Sequence, residues 1–337
     1  MNIHENFDLK TFNTFHVSAR SRYFADVTSL EQLQEVLSWS REHDVPFMLI
    51  GQGSNILFKQ DYPGLIIELN IKGKEIFDTD AAHADIRAMC GENWHDLVRY
   101  SLGLDLFGLE NLSLIPGNVG AAPVQNIGAY GAEVKDTLLE LEALEIATGN
   151  YQIFTNADCK FSYRNSVFKQ ELRDKYIICS VTFRLSKEAK INLEYPSLKS
   201  AFGNVDPATI TPLMVSDMVC SIRKSKLPDP SILGNAGSFF WNPRISPQQF
   251  AFLKEEFPAI AAYPEDDHVK IAAAWLIEQA GWKGYREGDV GVHQDHALVL
   301  VNYGSASGAE LVALSEKIQA SVLAKFRIQL HPEVRIV

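Results

Sequence analysis

Ile115-Pro-Gly-Asn-Val-Gly-Ala-Ala-Pro-Val-Gln-Asn-Ile-Gly-Ala-Tyr-Gly131 is the run whose reading decides this chain. It sets Gly117, Gly120, Gly128 and Gly131 among Ala121, Ala122 and Ala129, with almost nothing large and charged between them. Glycine loses the most conformational freedom on ordering, so such a run is a poor helix or strand and buries no core of its own. What it does well is bring bare backbone N–H and C=O groups, from Pro116 onward, against a flat, rigid, polar ligand. Gln125 and Asn126 add side-chain donors and acceptors. A solvated loop of this length would carry more Ser, Lys, Asp or Glu, and long structureless stretches in compact domains are usually functional. The run reads as a ligand platform.

A second loop, Gly51-Gln-Gly-Ser-Asn55, follows the short apolar strand Pro46-Phe-Met-Leu-Ile50. A dinucleotide fingerprint of the Rossmann type is refused by its context: the third glycine is absent, and Asp61-Tyr-Pro63 leaves no room for the helix. Gly51, Gly53, Ser54 and Asn55 can still form an anion nest of successive N–H groups. A plain hairpin turn fits these five residues equally well. A phosphate-type turn near residue 53 together with a small-residue platform near 120 suits a long dinucleotide with a flat ring. That combination predicts a flavin in a non-Rossmann fold.

The 337 residues predict two or three domains. With 46% hydrophobic and 22% charged residues the composition is that of a soluble globular protein. A formal net charge of −11 argues against nucleic acid or an anionic membrane as partner, since both demand a basic face. Cys90, Cys159, Cys179 and Cys220 are scattered without metal spacing, which fits buried thiols in a reducing cytosol. No histidine spacing suggests a metal; His293-Gln-Asp-His296 reads as a polar loop. The first ten residues show no secretory pattern, and Ile271–Ile277 is too short an apolar stretch to span a bilayer. The expected location is the cytoplasm.

Apolar spacing predicts helices over 30–43, with Thr28 or Ser29 as cap, and over 94–102, capped by Asn93. Strands are expected at 46–50, 56–58, 65–69, 84–90 and 176–185. Residues 187–211 read as irregular, 214–225 as a helix stopped by the prolines of Lys226-Leu-Pro-Asp-Pro230. Beyond the loop 234–243, helices are expected at 247–256, 269–280 and 309–326, with strands at 297–302 and 333–337. This mixed order predicts an α+β protein.

Arg164, in Phe161-Ser-Tyr-Arg-Asn-Ser166, reads by itself as a surface arginine packing on Tyr163. Ser238, between Gly237 and the aromatic pair Phe239-Phe240, lacks the G-x-S-x-G elbow and a base in its own loop, so it is a hydrogen-bond or proton donor rather than a nucleophile. Glu333 in His331-Pro-Glu-Val-Arg335 falls in a patterned terminal strand and reads as exposed.

These pieces occur in a specific order: Asn13-Thr-Phe15, Gly51–Asn55, Gly91-Glu-Asn-Trp94, Gly108-Leu-Glu-Asn-Leu112, the glycine run, Tyr163-Arg164, Lys226–Pro230, Asn235-Ala-Gly-Ser-Phe-Phe240 and Pro332-Glu-Val-Arg335. So ordered, nearly end to end, the chain resembles the UDP-N-acetylenolpyruvoylglucosamine reductase family. The resemblance implies an FAD-binding fold of the vanillyl-alcohol-oxidase type, built of two α+β subdomains (1–70 with 327–337, and 71–219), and a separate α+β substrate domain (220–326). It implies non-covalent FAD, NADPH as hydride donor, and UDP-N-acetylglucosamine enolpyruvate as substrate, in a cytoplasmic step of peptidoglycan precursor synthesis performed by a monomer. It carries catalytic roles to Arg164, Ser238 and Glu333, and cofactor contacts to Gly51, Gly53, Ser54, Asn55, Pro116, Gly117, Gly120, Gln125, Asn126, Gly128, Tyr130 and Gly131. Substrate contacts fall on Tyr163, Tyr195, Lys226, Asn242 and His296, with Tyr195 on a loop that closes over the diphosphate. Two departures stand out: His296 where some members carry glutamine, and Tyr195-Pro196 in place of Tyr-Gly. A flavin-dependent alcohol oxidase of the same wider fold is the rival reading; it requires a base beside the flavin, which only the histidines offer.

Overall fold

The β-branched and aromatic run Tyr176–Ser186 forms the longest strand of the computed structural model, which describes residues 2–337. It is the middle strand of a five-stranded antiparallel sheet, ordered Tyr151–Thr155, Leu138–Glu145, Tyr176–Ser186, His83–Met89, Lys74–Asp78. Glu142 faces Ser180 and Ala143 faces Ile178, so Cys179 is the extra residue of a bulge. Because side chains alternate with period two, that extra residue switches which side chains face which core. Ile177 and Cys179 pack with one helix, α1 (Leu30–Glu42); Ile178, Val181 and Phe183 pack with another, α2 (Trp94–Leu102). Both helices start as their sequences direct: the Ser29 hydroxyl accepts from Gln32 N–H at 3.2 Å, and the Asn93 side chain from Asp96 N–H at 2.9 Å.

This sheet belongs to the first of two compact units, made of the stretch ending at His4 with residues 23–52 and 64–223. There Phe47–Ile50 pairs in parallel with Leu65–Glu68. Two further helices, α3 (Pro196–Phe202) and α4 (Pro212–Lys226), gather Leu198, Phe202, Val215 and Val219 around Tyr130. The chain leaves the unit within the last turn of α4.

The second unit consists of residues 5–22, 53–63 and 224–337. It holds α5 (Pro247–Glu256), α6 (Ala273–Gln279) and α7 (Gly308–Phe326), with small antiparallel sheets and one parallel pair, Ile56–Leu57 beside Arg335–Ile336. Phe15, Phe239, Phe240, Leu276, Leu311, Ile318 and Phe326 form its core.

The expected α+β class holds, and the helices at 94–102 and 247–256 lie where spacing placed them. Other expectations are corrected. Residues 269–280 do not form one helix: Val269–Ile271 is a strand paired with both Ala262–Pro264 and Arg244–Ile245, and the helix starts at Ala273. An apolar run that short carries either periodicity, and the β-branched Val269 and Ile271 favour the pairing. The stretch 187–211 is not wholly irregular, since Pro196 sits in the first turn of α3. The strand expected at 297–302 is only Leu300–Asn302, and that at 333–337 only Arg335–Ile336. Finally, 51–55 is no hairpin turn, because the strands on either side pair elsewhere.

Helix α7 opens on a reciprocal cap: Ser307 Oγ accepts from Glu310 N–H at 3.3 Å and the Ser307 N–H donates to Glu310 Oε2 at 2.7 Å. Ser307→Ala is expected to cost about 1 kcal/mol and lower the thermal midpoint by a few degrees, while Ser307→Asp stays near the parent. Differential scanning calorimetry reads this, and an unshifted Ser307→Ala midpoint would remove the cap from the account.

Candidate functional site

The glycine run has no side chains with which to place itself, and backbone bonds place it instead. Trp94 N–H donates to the Gly117 carbonyl (3.0 Å), Val119 N–H to Glu92 (2.9 Å) and Gly120 N–H to Cys90 (2.9 Å). This pairing demands glycine at 120, where a Cβ would lie 2.6 Å from Cys90 Cβ. Gly51 approaches the same segment, 3.2 Å separating its would-be Cβ from Asn118 Nδ2, and the Gln52 side chain accepts from Gly117 N–H at 3.0 Å. Pro116 is exposed; Gln125 is half-buried, and its N–H reaches no protein acceptor among the described residues.

Two tight turns then present the polar side chains. Gly128-Ala129 pairs with Ala132-Glu133, leaving Tyr130 (φ 49°) and Gly131 (φ 82°) as a two-residue hairpin loop with both centres in the left-handed region. Ser162 and Asn165 exchange N–H···O bonds of 3.1 Å in each direction, so Tyr163 and Arg164 (φ 54°) make a second such loop. A tyrosine and an arginine in this region are held there by their surroundings, at a cost, and such positions cluster at functional sites. Asn126 supplies the hold. Fully buried, its Nδ2 donates to Ser162 O (3.1 Å) and Glu133 Oε2 (3.0 Å), while its Oδ1 accepts from Lys135 N–H (3.2 Å). Its side chain therefore clamps the two turns together. The Arg164 guanidinium comes beside Gly128, with Nη1 3.4 Å from that glycine's would-be Cβ, and stacks over the Tyr163 ring at 5.7 Å.

Sequence reasoning missed Arg223. Its Nε donates to Leu114 O at 3.2 Å. Burial pushes its guanidinium below the ordinary arginine value, Tyr130 and Cys220 oppose that, and Arg164 adds to it. The available signal was positional: Val215, Val219 and Arg223 share the buried stripe of α4, where an arginine is out of place. Tyr195, at the head of α3, is 44% exposed, with its ring edge-on to Tyr130 at 5.2 Å.

In the second unit, buried Gly53 (φ 62°) lies against the Phe12 carbonyl, too close for any side chain. The Ser238 loop is fixed from both sides: Phe239 N–H donates to Leu298 O (2.8 Å), and Glu333 N–H donates to Phe239 O (2.8 Å). Asn55 joins in, its Nδ2 donating to Glu333 O (3.4 Å) and its O accepting from Arg335 N–H (3.1 Å). Asn55, Ser238 and Glu333 are thus neighbours, and Glu333 lies in a half-buried bend, not in an exposed strand. Half-buried His296 is tied to the same place, with Leu298 N–H reaching its Nδ1 at 3.4 Å. Asn242 Oδ1 accepts from Ala273 N–H (2.9 Å) at the start of α6. Lys226 is exposed at the end of α4. Arg164 belongs to the first unit, Ser238 and Glu333 to the second.

Residues 21–155 match the family described as FAD binding domain, and 229–337 match UDP-N-acetylenolpyruvoylglucosamine reductase, C-terminal domain. A UDP-N-acetylenolpyruvoylglucosamine reductase of Pseudomonas syringae pv. syringae is 48% identical over 96% of each chain, and one of Amoebophilus asiaticus is 45% identical over the whole of both. The chain belongs to the UDP-N-acetylenolpyruvoylglucosamine reductase family. A solved structure of that reductase from Thermus caldophilus, at 21% identity, shares the fold with a TM-score of 0.68 over 100% of this chain and 99% of its own. For a UDP-N-acetylenolpyruvoylglucosamine reductase with a matched FAD binding domain, a platform of glycines with a free amide at Gln125 suits a flavin.

His296 gives the reductase a pH signature. Burial lowers its imidazole below the ordinary 6.5, and the positive charge of His293 and Lys226 lowers it further. The folded form resists a proton that the unfolded chain accepts, so this position is neutral in its effect above 6.5 and costs stability as pH falls from there to the lower folded value. His296→Gln is expected to flatten the fall in thermal midpoint between about pH 7.5 and 5.5. Parallel profiles for the two proteins would contradict the assignment.

Proposed function

We propose that this protein reduces the enol ether of UDP-N-acetylglucosamine enolpyruvate to UDP-N-acetylmuramate, with FAD as its cofactor and NADPH as hydride donor. The observation that carries this reading is the junction of Asn55, Phe239 and Glu333, which brings the backbone of half-buried Glu333 to the loop of half-buried Ser238 within a chain related over its full length to such reductases. Backbone from Gly51 to Asn55 and from Pro116 to Gly131 would hold the FAD, with Tyr130 beside it. In this reading 1–70 with 327–337 and 71–219 are the two parts of the FAD-binding half, and 220–326 the substrate part.

When bound, FAD supplies two-electron hydride chemistry between NADPH and the terminal carbon of the enol ether. Negative charge then grows on the α-carbon and its carboxylate. Arg164, always charged and with a planar fork, is suited to stabilise it. Glu333, as a neutral acid, hydrogen-bonds the same carboxylate, and the Ser238 hydroxyl gives its proton to the α-carbon. Tyr163, Tyr195, Lys226, Asn242 and His296 bind the rest of the substrate. Lys226 and the Asn242 Nδ2, which meets no protein acceptor among the described residues, would supply donors to its diphosphate. The protein works as a cytoplasmic monomer needing neither nucleic acid nor membrane; its net charge of −11 supports the former, and no helix among the described residues is long and apolar enough to cross a bilayer.

Ser238→Ala is expected to leave bleaching by NADPH within about twofold of the parent while slowing recolouring by the enolpyruvyl substrate roughly 100-fold or more. Equal losses in both anaerobic half-reactions would give Ser238 a structural part only. Glu333→Gln is expected to retain more of the second half-reaction than Glu333→Ala, since glutamine still donates a hydrogen bond. Equal loss in the two variants would require an ionised Glu333. Rapid bleaching by an alcohol followed by recolouring with oxygen, with no response to the enolpyruvyl substrate, would overturn the reductase reading.

A further inference from the structure

Asn111 is 3% exposed and absent from every role assigned so far. It sits in the short turn Glu110–Leu112, which is fastened on all sides. The Glu110 carboxylate accepts from Gly108 N–H (2.7 Å), the Leu112 carbonyl accepts from the Trp94 indole (2.9 Å), and Ser113 Oγ donates to Glu110 O (2.7 Å) while lying 2.8 Å from Ser216 Oγ. From this rigid base the Asn111 amide uses both its N–H groups on backbone carbonyls far apart in sequence: Tyr130 O at 2.8 Å and Asn192 O at 3.0 Å. Asn192 returns the link, its own Nδ2 donating to Gly131 O at 3.2 Å. The result is a latch of three hydrogen bonds between the left-handed Tyr130-Gly131 turn and the segment that leads, three residues on, into Tyr195.

We propose that Asn111 is a positioning residue for substrate closure: by holding the Tyr130 and Asn192 carbonyls together it sets the Tyr195 ring against the Tyr130 turn. The role of Tyr195 over the diphosphate rests on the function proposed above; the latch itself does not. An asparagine amide has two donor hydrogens, and both are spent here, so no other residue type of this size can make both bonds without misplacing one. With Asn111 removed, two carbonyls lose their donor and the 191–203 segment is left with its apolar contacts, Leu198 and Phe202 against Tyr130, which fix no single orientation. Pro196 at the start of α3 stiffens the segment beyond Tyr195, which leaves the stretch before it, where the latch acts, as the place where freedom is controlled.

The test uses the flavin-loaded full chain as parent, Asn111→Leu, which keeps the branched outline and drops both donors, and Asn192→Ala, which spares the core should Asn111→Leu fold poorly. Hydrogen–deuterium exchange is expected to rise roughly 10-fold at the amides of 193–203 in both variants, with α2 unchanged. The apparent constant for the enolpyruvyl substrate is expected to rise roughly 5- to 10-fold, with bleaching by NADPH and flavin content near the parent. Unaltered exchange at 193–203, or an equal rise in α2, would overturn the latch. A changed exchange rate with an unchanged substrate constant would overturn its part in closure. Should the parent itself fail to be recoloured by the substrate, the functional reading falls while the exchange data still judge the latch.

Discussion

The three backbone hydrogen bonds between Cys90–Trp94 and Gly117–Gly120 are the constraint on which the first unit's polar groups depend. A run of glycine and alanine has no side-chain information with which to choose among conformations, so its shape must be imposed from outside. Here it is imposed by a segment whose own place is fixed, because Trp94 is buried in the α2 core and Cys90 follows a central strand. The absence of a Cβ at Gly120 lets the backbones meet at all. Every later element of the platform inherits this position: the Tyr130 turn, the Arg164 turn that Asn126 fastens to it, and the α3–α4 residues that pack on Tyr130.

How much of this was legible in the sequence differs by layer. Long, strongly spaced elements were readable, caps included, since Ser29 and Asn93 satisfy the first turns of α1 and α2 as their side-chain chemistry suggests. Short elements were not. Val269–Ile271 and Pro196–Phe202 owe their states to pairing and packing partners distant in sequence, which no local period records. Residues 51–55 were ambiguous for the same reason: a hairpin turn and a crossing between differently paired strands have one local sequence. The glycine run stands out by composition, yet the parts its individual residues play in the fold do not. Asn126 reads in the sequence as a ligand donor, and in the fold its amide clamps two turns, because a buried asparagine can spend both donors and its oxygen on the protein's own backbone and the Glu133 carboxylate.

Glu333 shows the opposite error. Patterning alone set it on an exposed terminal strand, yet the ladder to Ile56–Leu57 begins only at Arg335, and the residues before it turn to meet Phe239 and Asn55. Glu333 is thereby held beside the serine loop by bonds to its main chain that no side-chain pattern encodes. The ordered motifs single it out where spacing does not, since a motif preserves the outcome of long-range pairing without explaining it.

An acidic protein that handles a diphosphate and a carboxylate has to solve an electrostatic problem locally. Its net charge of −11 repels such ligands at long range, although salt screens that field beyond about 8 Å in physiological conditions. At short range the first unit sets Arg223 among Tyr130, Cys220 and Arg164, with no carboxylate among the groups that shape its ionisation. Burial makes the charge of Arg223 costly, yet an arginine does not shed its proton at neutral pH. The cost of that charge therefore stands, and a negative charge placed nearby is what would lower it. A lysine there would answer burial by deprotonating, so arginine on this half-buried face of α4 keeps a charge that lysine would lose.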